Sequence, residues 1–242
     1  MGFLDAMIMR TPEDKKRKEF LLELQSIPAI EGVCDGKYHK RNYAKRDLAD
    51  FKCKQLTKST PLKKLSSFVA FDTETTGIQL TNNEVIEVSL IKFVSFKPVM
   101  LFTTLIKPSV PIPPEVTKIN HITEEMVEFA PKFYQIIPIL DWFVGKLPMV
   151  AHNAPFDVMH LYASGLDSMA KRSVYDTCEI SRKSCKQLPD HKLATSCVHY
   201  GIYFDGAHNA SEDALACGKL FVQMIMEKNE CQTIQELQRK LS

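Results

Sequence analysis

The sequence has no apolar run that approaches the roughly 20 residues a helix needs to cross a membrane. Its first ten residues, Met1–Arg10, are too short and too acidic for a signal peptide. Gly2 follows the first methionine, but Ala6 stands where an N-myristoylation motif requires Ser or Thr. These absences argue against membrane insertion, secretion and lipid anchoring, and we predict a cytoplasmic protein.

The cysteines do not form a recognisable framework. There are seven of them, an odd number, without a Cys-x-x-Cys pair, and their spacings match no zinc module. Several lie at apolar positions of predicted helices, where a free thiol behaves as a small hydrophobic group. We therefore predict buried, reduced thiols rather than disulfides or a zinc centre.

The composition is that of a globular protein, and the charge is unevenly distributed. The 242 residues, 45% hydrophobic and 25% charged, suit one α/β domain with an appendage or two small domains. Residues 1–66 carry 15 Lys and Arg against 9 Asp and Glu, whereas the remainder carries 16 against 20. A basic appendage on an acidic domain indicates an anionic partner that the appendage helps to hold.

The first 66 residues are predicted to be a basic helical extension and linker, followed by one domain over residues 67–242. Thr11 can cap a helix and Pro12 suits its first position; the apolar residues Phe20, Leu21, Leu24 and Ile27 then recur at helical spacing. The stretch Lys37–Arg46 interleaves aromatic and basic residues, which is typical either of nucleic-acid contact or of a solvated helical face. Residues 59–67 are predicted to be a linker.

The rest of the chain alternates strand and helix patterns. Five short apolar runs are predicted to be strands: Phe68–Phe71, Glu84–Phe96, Val99–Ile106, Met149–Ala151 and Val174–Asp176. The second and third are predicted to form a hairpin. Helices are predicted at 130–146, with a kink or break at Pro138, and at 156–164, 178–186, 192–200, 210–228 and 234–241. This order predicts an α/β fold with a mixed sheet flanked by helices.

Acidic residues follow the first predicted strand. Asp72 and Glu74 are two positions apart, so in an extended chain both carboxylates leave the strand on one face. Two neighbouring carboxylates repel each other unless a cation lies between them, and Mg²⁺ or Mn²⁺ prefers such oxygen ligands. Alone, the pair is equally compatible with a solvated turn.

Two later motifs are predicted to lie near the same sheet edge. Asp157, in His152–Asp157, is placed in the first helical turn after the fourth strand. Asp213 is placed in the first turn of the helix at 210–228, and His208 in the loop just before it. An imidazole there can accept a proton from a bound water near neutral pH. Taken singly, each motif is also compatible with an ordinary helix-start carboxylate or a surface histidine.

Together, Asp-x-Glu, His-Asn-x-x-Phe-Asp and His-x-x-x-x-Asp in this order resemble the DEDDh family of 3′–5′ exonucleases, which includes the epsilon proofreading subunit of bacterial DNA polymerase III. The resemblance covers about residues 66–226, and its motifs are specific as a set. The family's acidic residues correspond to Asp72, Glu74, Asp157 and Asp213, and its histidine to His208. The segment Asn120–Thr123 resembles a family loop that often reads His-Gly-Ile-Thr, but Asn120 and His121 depart from it.

The resemblance implies a ribonuclease H-like fold and hydrolysis of phosphodiester bonds with two Mg²⁺ or Mn²⁺ ions. The four carboxylates would hold the metals, with Asp72 between the two, and His208 would be the base. Thr75, Thr76, Asn153 and Phe156 would lie along the terminal nucleotide. The expected partner is nucleic acid with a free 3′ end, single-stranded DNA above all, and a DNA polymerase is a further candidate.

Other functions stay open at this point. A catalytically silent nucleic-acid-binding protein could use the same fold, although an unused cluster of buried carboxylates would be costly. A metal-dependent phosphatase acting on small nucleotides is a second alternative. The motifs do not separate DNA from RNA, nor proofreading beside a polymerase from repair alone.

Overall fold

A five-stranded mixed sheet forms the centre of the protein, whose computed structural model describes residues 12–29, 51–204 and 208–241. The strands are β1 (Ser67–Thr75), β2 (Val85–Val94), β3 (Lys97–Leu105), β4 (Met149–Ala151) and β5 (Val174–Asp176). Their order is β3-β2-β1-β4-β5. The first three strands are antiparallel, and β4 and β5 continue parallel to β1. The predicted sheet and hairpin are confirmed.

Helices cover the sheet and connect its strands. They are α1 (Pro12–Ser26), α2 (Leu62–Leu65), α3 (Pro114–Asn120), α4 (Glu124–Val127), α5 (Phe133–Val144), α6 (Ala154–Ala163), α7 (Thr177–Ser184), α8 (Leu193–His199), α9 (Ala210–Lys228) and α10 (Ile234–Arg239). A 3₁₀ helix lies at Asp167–Lys171. Among the helices described, none combines the length and apolarity needed to cross a bilayer.

The alternation of side chains along β1 assigns the two faces of the sheet. Phe68 and Ala70 pack on the α9 side, where Phe221 meets the edge of the Phe68 ring at 5.1 Å. Val69 and Phe71 pack in a second core with the residues of α5 and α6. Gly218 allows the close approach of α9, because a Cβ there would lie 2.3 Å from the ring of Phe93. The long helix is thus fixed against β1 and β2.

The N-terminal helix packs on the same side as α9. Phe20 is buried in the core that α9 forms with the sheet, and Lys219 of α9 contacts Glu23 at 2.5 Å. Beyond α1, Ala29 pairs in parallel with Leu101 of β3, and Lys54 pairs with Tyr175 of β5. The predicted stretch Lys37–Arg46 lies outside the described residues. The division of the chain at residue 66 stays a prediction.

Several predicted segments differ from the structure. The first strand, predicted at Phe68–Phe71, extends over Ser67–Thr75, so Asp72 and Glu74 lie inside β1 rather than after it. The linker at 59–67 contains the helical turn α2, because Leu65 is buried and draws the chain onto the core. The helix predicted at 130–146 is the shorter α5, and Pro138 lies inside it without a break. The missing amide of Pro138 leaves the carbonyl of Tyr134, four residues earlier, without its usual helical donor.

The described cysteines are free thiols. Cys53 is partly buried, and Cys178, Cys185, Cys197, Cys217 and Cys231 are buried. This agrees with the prediction for these residues, while Cys34 lies outside the described part of the chain.

Candidate active site

The carboxylates of β1 meet the start of α9. Asp72 and Glu74 follow Phe68 and Ala70 with the same parity, so they leave β1 on the side that α9 covers. Within the described residues, one carboxylate oxygen each of Asp72, Glu74 and Asp213 lie within 4.8 Å of one another. This is the convergence that the spacing of the motifs predicted for these three side chains.

Asp213 is held by the first turn of α9. The side chain of Asn209 caps the helix by accepting hydrogen bonds from the amides of Ser211 and Glu212 at 3.1 and 3.2 Å. The amide of Asp213 donates to the carbonyl of Asn209 at 2.9 Å. The Oδ1 atom of Asp213 is buried and accepts no hydrogen bond from the described residues. A buried acceptor oxygen without a donor is a position for a cation.

Asp157 lies in the first turn of α6 and is connected to β1 through Thr73. Its Oδ1 atom accepts hydrogen bonds from the Thr73 hydroxyl at 2.7 Å and from the Thr73 amide at 3.1 Å. Thr73 has the opposite parity to Asp72, so it faces α6 rather than α9. Among the described residues, Asp157 is therefore adjacent to the three converging carboxylates but not part of that group.

Burial and mutual repulsion shift the pKa values of the four carboxyl groups upward. Burial raises the pKa of Asp72 well above its usual value, with a further contribution from the negative charge of Asp157. Burial likewise raises the pKa of Glu74 to about 8, and those of Asp157 and Asp213 to about 7. A divalent cation would remove the repulsion and keep all four groups ionised. The donor set, all oxygen, fits Mg²⁺ or Mn²⁺.

His208 lies two residues before α9 in an exposed position. Its backbone φ of 41° is in the left-handed region, and the chain then enters the helix through Asn209. Its exposed side chain thus lies at the start of the helix that carries Asp213.

The four predicted substrate contacts differ in exposure. The Thr75 hydroxyl donates to the carbonyl of Gly77 at 2.7 Å, and the Thr76 hydroxyl accepts the amide of Glu84 at 3.0 Å, so both hydroxyls stabilise the turn after β1. Asn153 is exposed, with a left-handed φ of 64°. The half-buried Phe156 packs its ring 4.5 Å from that of His160.

Three polar residues that support the site were not predicted from the sequence. Glu87 of β2 lies opposite Glu74 and is nearly fully buried. The side chain of Asn120, at the end of α3, is hydrogen-bonded to Glu74. Asp176 accepts the amide of Asn153 at 2.9 Å and so holds the turn before α6. For Glu87, the signal was a single acidic residue inside an apolar strand.

Comparison with known proteins identifies the family. A family model described as Exonuclease (RNase_T) matches residues 69–221. The DNA polymerase III subunit epsilon of Treponema pallidum (strain Nichols) is 37% identical over 166 residues, which are 66% of this chain and 76% of that protein. A PolC-type DNA polymerase III of Caldanaerobacter subterraneus subsp. tengcongensis is 36% identical over 165 residues, 67% of this chain. The match spans only 12% of the PolC-type protein's own length.

Solved structures of exonucleases share the fold. Exonuclease X, in complex with 5′-overhanging duplex DNA, superposes with a TM-score of 0.55 at 21% identity, covering 71% of this chain and 99% of that one. The nuclease domain of 3′hExo, a DEDDh family member bound to rAMP, superposes with a TM-score of 0.56 at 16% identity, covering 69% and 94%. The fold and the acidic site define a chain of the ribonuclease H-like exonuclease class. The chain belongs to the RNase_T exonuclease family, and the predicted family and fold are confirmed.

Proposed function

We propose that this chain is a metal-dependent 3′–5′ exonuclease that releases nucleoside 5′-monophosphates from DNA, with RNA as a second substrate to be tested. The observation that carries the proposal is the convergence of Asp72, Glu74 and Asp213 within 4.8 Å, together with a buried Asp213 oxygen that has no hydrogen-bond partner among the described residues. An exonuclease family model that matches residues 69–221 supports the reaction class.

Asp72, Glu74, Asp157 and Asp213 would hold two ions, Mg²⁺ or Mn²⁺. When bound, such ions polarise the phosphate and activate a water. Asp157 enters this set already oriented, since its two hydrogen bonds from Thr73 fix one of its oxygens. The side chain of Asn120 similarly orients Glu74.

His208 would accept the proton of the attacking water. The water oxygen then bonds to the phosphorus of the terminal nucleotide, while the bond from that phosphorus to the 3′-oxygen of the preceding nucleotide breaks. The products are a nucleoside 5′-monophosphate and a strand that is one nucleotide shorter, with a new 3′-hydroxyl. The exposure of His208, two residues before the helix that carries Asp213, suits proton exchange with solvent.

The terminal nucleotide would lie along the turn after β1 and the start of α6. The hydroxyls of Thr75 and Thr76 hold the turn in shape, while Asn153 and Phe156 offer an exposed amide and a partly exposed ring. A single-stranded 3′ end is the favoured partner, and a DNA polymerase is a candidate second partner because one relative is a polymerase III epsilon subunit. The predicted cytoplasmic location forms part of this proposal.

The test is digestion of a 5′-labelled single-stranded oligonucleotide with Mg²⁺ or with EDTA. We expect a ladder that shortens from the 3′ end with Mg²⁺ and intact strand with EDTA. The same assay on duplex DNA and on RNA of equal sequence measures substrate preference. Binding without cleavage would indicate a silent nucleic-acid-binding protein, and attack on mononucleotides alone would indicate a phosphatase; either result rejects the proposal.

A further inference from the structure

Glu87 is the one acidic residue of β2 and lies between two apolar neighbours. Its neighbours on β2, Ile86 and Val88, are fully buried, and Glu87 itself is 9% exposed. A buried carboxylate is costly unless it is hydrogen-bonded or paired with a cation. The reaction proposed above assigns no task to this side chain, so its burial needs a separate explanation.

The strand register places Glu87 between β1 and α9. It lies directly opposite Glu74 in the antiparallel pair, and it shares the parity of Ile91 and Phe93, which pack on the α9 side. Its Oε2 atom accepts a hydrogen bond from the amide of Ala210 at 3.4 Å. Ala210 is the first residue of α9. The carboxylate therefore meets the positive end of this helix.

The other amides of the first turn have partners elsewhere. The amides of Ser211 and Glu212 donate to the side chain of Asn209, and the amide of Asp213 donates to its carbonyl. The amide of Ala210 donates no hydrogen bond to Asn209 and donates to the side chain of Glu87 instead. The cap of α9 is thus shared between a residue of its own loop and a residue of the sheet.

We infer that Glu87 is a positioning residue that fixes the first turn of α9 on the sheet, and thereby sets His208 and Asp213 relative to Asp72 and Glu74. This role rests on the proposed function, since His208 and Asp213 act in that reaction. Among the described residues, Glu87 does not belong to the group of carboxylates that converge within 4.8 Å. Glu87 acts as a hydrogen-bond acceptor whose side-chain length matches the distance from β2 to the amide of Ala210, rather than as a metal ligand.

Two substitutions separate the position of the acceptor oxygen of Glu87 from its negative charge. Glu87→Gln keeps an acceptor oxygen at the same distance and removes the charge, whereas Glu87→Asp keeps the charge and withdraws it by one methylene. Glu87→Ala removes both. Glu124→Ala is the matched control, because Glu124 also accepts a backbone amide, that of Ile112 at 2.6 Å, but on α4 and away from α9.

Amide hydrogen exchange at Ala210, measured by NMR in the metal-free protein, reports the contact without any activity. We expect exchange about tenfold faster in Glu87→Asp and Glu87→Ala, and unchanged within about threefold in Glu87→Gln and Glu124→Ala, because only the first two lose the acceptor. In the oligonucleotide assay, kcat should fall about tenfold in the same two variants with a smaller change in KM, as expected for a misaligned reacting group.

The inference is overturned if Glu87→Gln loses as much turnover as Glu87→Ala although the Ala210 amide of the Gln variant exchanges as slowly as in the unmodified protein. The charge of Glu87 would then act on the metals directly. The inference is also overturned if Glu87→Asp and Glu87→Ala leave the exchange at Ala210 unchanged. If Glu87→Ala does not fold, the Gln and Asp variants decide the matter alone. If the unmodified protein does not shorten the oligonucleotide, the proposed function fails, while the exchange data still test the contact.

Discussion

Asp157 and Asp213 occupy equivalent places in two halves of the site, yet their surroundings differ. Each lies in the first turn of a helix, and burial raises the pKa of each to about 7. Asp157 accepts two hydrogen bonds from Thr73. Asp213 has a buried oxygen that accepts none from the described residues. One carboxylate is satisfied by the protein itself, and the other lacks a partner that a cation would supply.

The site thus has two halves: the β4–α6 half, which carries Asp157, and the α9 half, which carries Asp213. The two halves differ in whether the protein itself satisfies the carboxylate. The β4–α6 half is assembled before any ion binds, because Thr73 connects Asp157 to the central strand. In the α9 half, burial raises the pKa of Asp72, and the charges of Asp213 and Glu74 raise it further. The charges of Asp157 and Glu87 add to this repulsion, which metal binding would relieve. Substitutions in the two halves should therefore affect activity and metal-free stability differently.

The largest effect is expected for Asp213→Asn. Loss of a ligand carboxylate should lower turnover by on the order of 1,000-fold, similar to the loss of a strong transition-state contact. The metal-free protein should unfold at the same or a higher temperature, because a repelling charge is removed. Oligonucleotide hydrolysis and thermal unfolding with and without Mg²⁺ measure both. A clear loss of metal-free stability would contradict the contrast with Asp157.

His208→Ala is expected to lower kcat by about 100- to 10,000-fold, the usual contribution of a general base. Because the side chain is exposed, its removal should leave the unfolding temperature unchanged. Stopped-time hydrolysis assays and calorimetry on the same preparation measure the two quantities. Activity near that of the unmodified protein would remove His208 from the mechanism.

Thr73→Val tests the preassembled half. The valine side chain fills the same space but lacks the hydroxyl that donates to Asp157, while the backbone amide still donates. The free energy of unfolding should fall by about 1 kcal/mol, with a moderate loss of turnover. Ser89→Ala is the matched control, since the buried Ser89 hydroxyl has no partner among the described residues. Urea unfolding compares the two; equal losses would mean that the Thr73 hydroxyl does not hold Asp157.

The smallest effect is a pH dependence of stability in EDTA. Glu74 and Asp213 have pKa values of about 8 and 7 in the folded protein. The same groups have a pKa of about 4 in the unfolded chain, so their contribution to stability is complete only below about pH 4. Their contribution is lost as the pH rises through the folded-state values, so the metal-free protein should be less stable at pH 8 than at pH 5. Saturating Mg²⁺ should flatten this slope. A free energy of unfolding that rises from pH 5 to pH 8 would contradict the repulsion among these carboxylates.

The sequence predicted that Asp72, Glu74 and Asp213 converge because two of them alternate along one strand and the third lies at a helix start. The spacing of Asp72 and Glu74 fixes a shared face, and the helix pattern after Asn209 places Asp213 in a first turn. It did not find Glu87, whose hydrogen bond joins residues 123 positions apart. It also predicted a kink or a break at Pro138, whereas α5 continues through this position with Ile136, Ile137 and Leu140 buried. The spacing of residues along the chain does not predict contacts between distant elements. It also does not predict where burial outweighs the local preference of a residue such as proline.

The short pairings of Ala29 with β3 and of Lys54 with β5 have a consequence for the protein in solution. Each lies on an outer strand of the sheet, whose unpaired backbone groups would otherwise template the addition of a strand from another molecule. The segments before β1 thus pair with one residue on each outer strand. A shortened chain that begins at Ser67 would lose both pairings, and we expect it to aggregate at lower concentrations than the full chain.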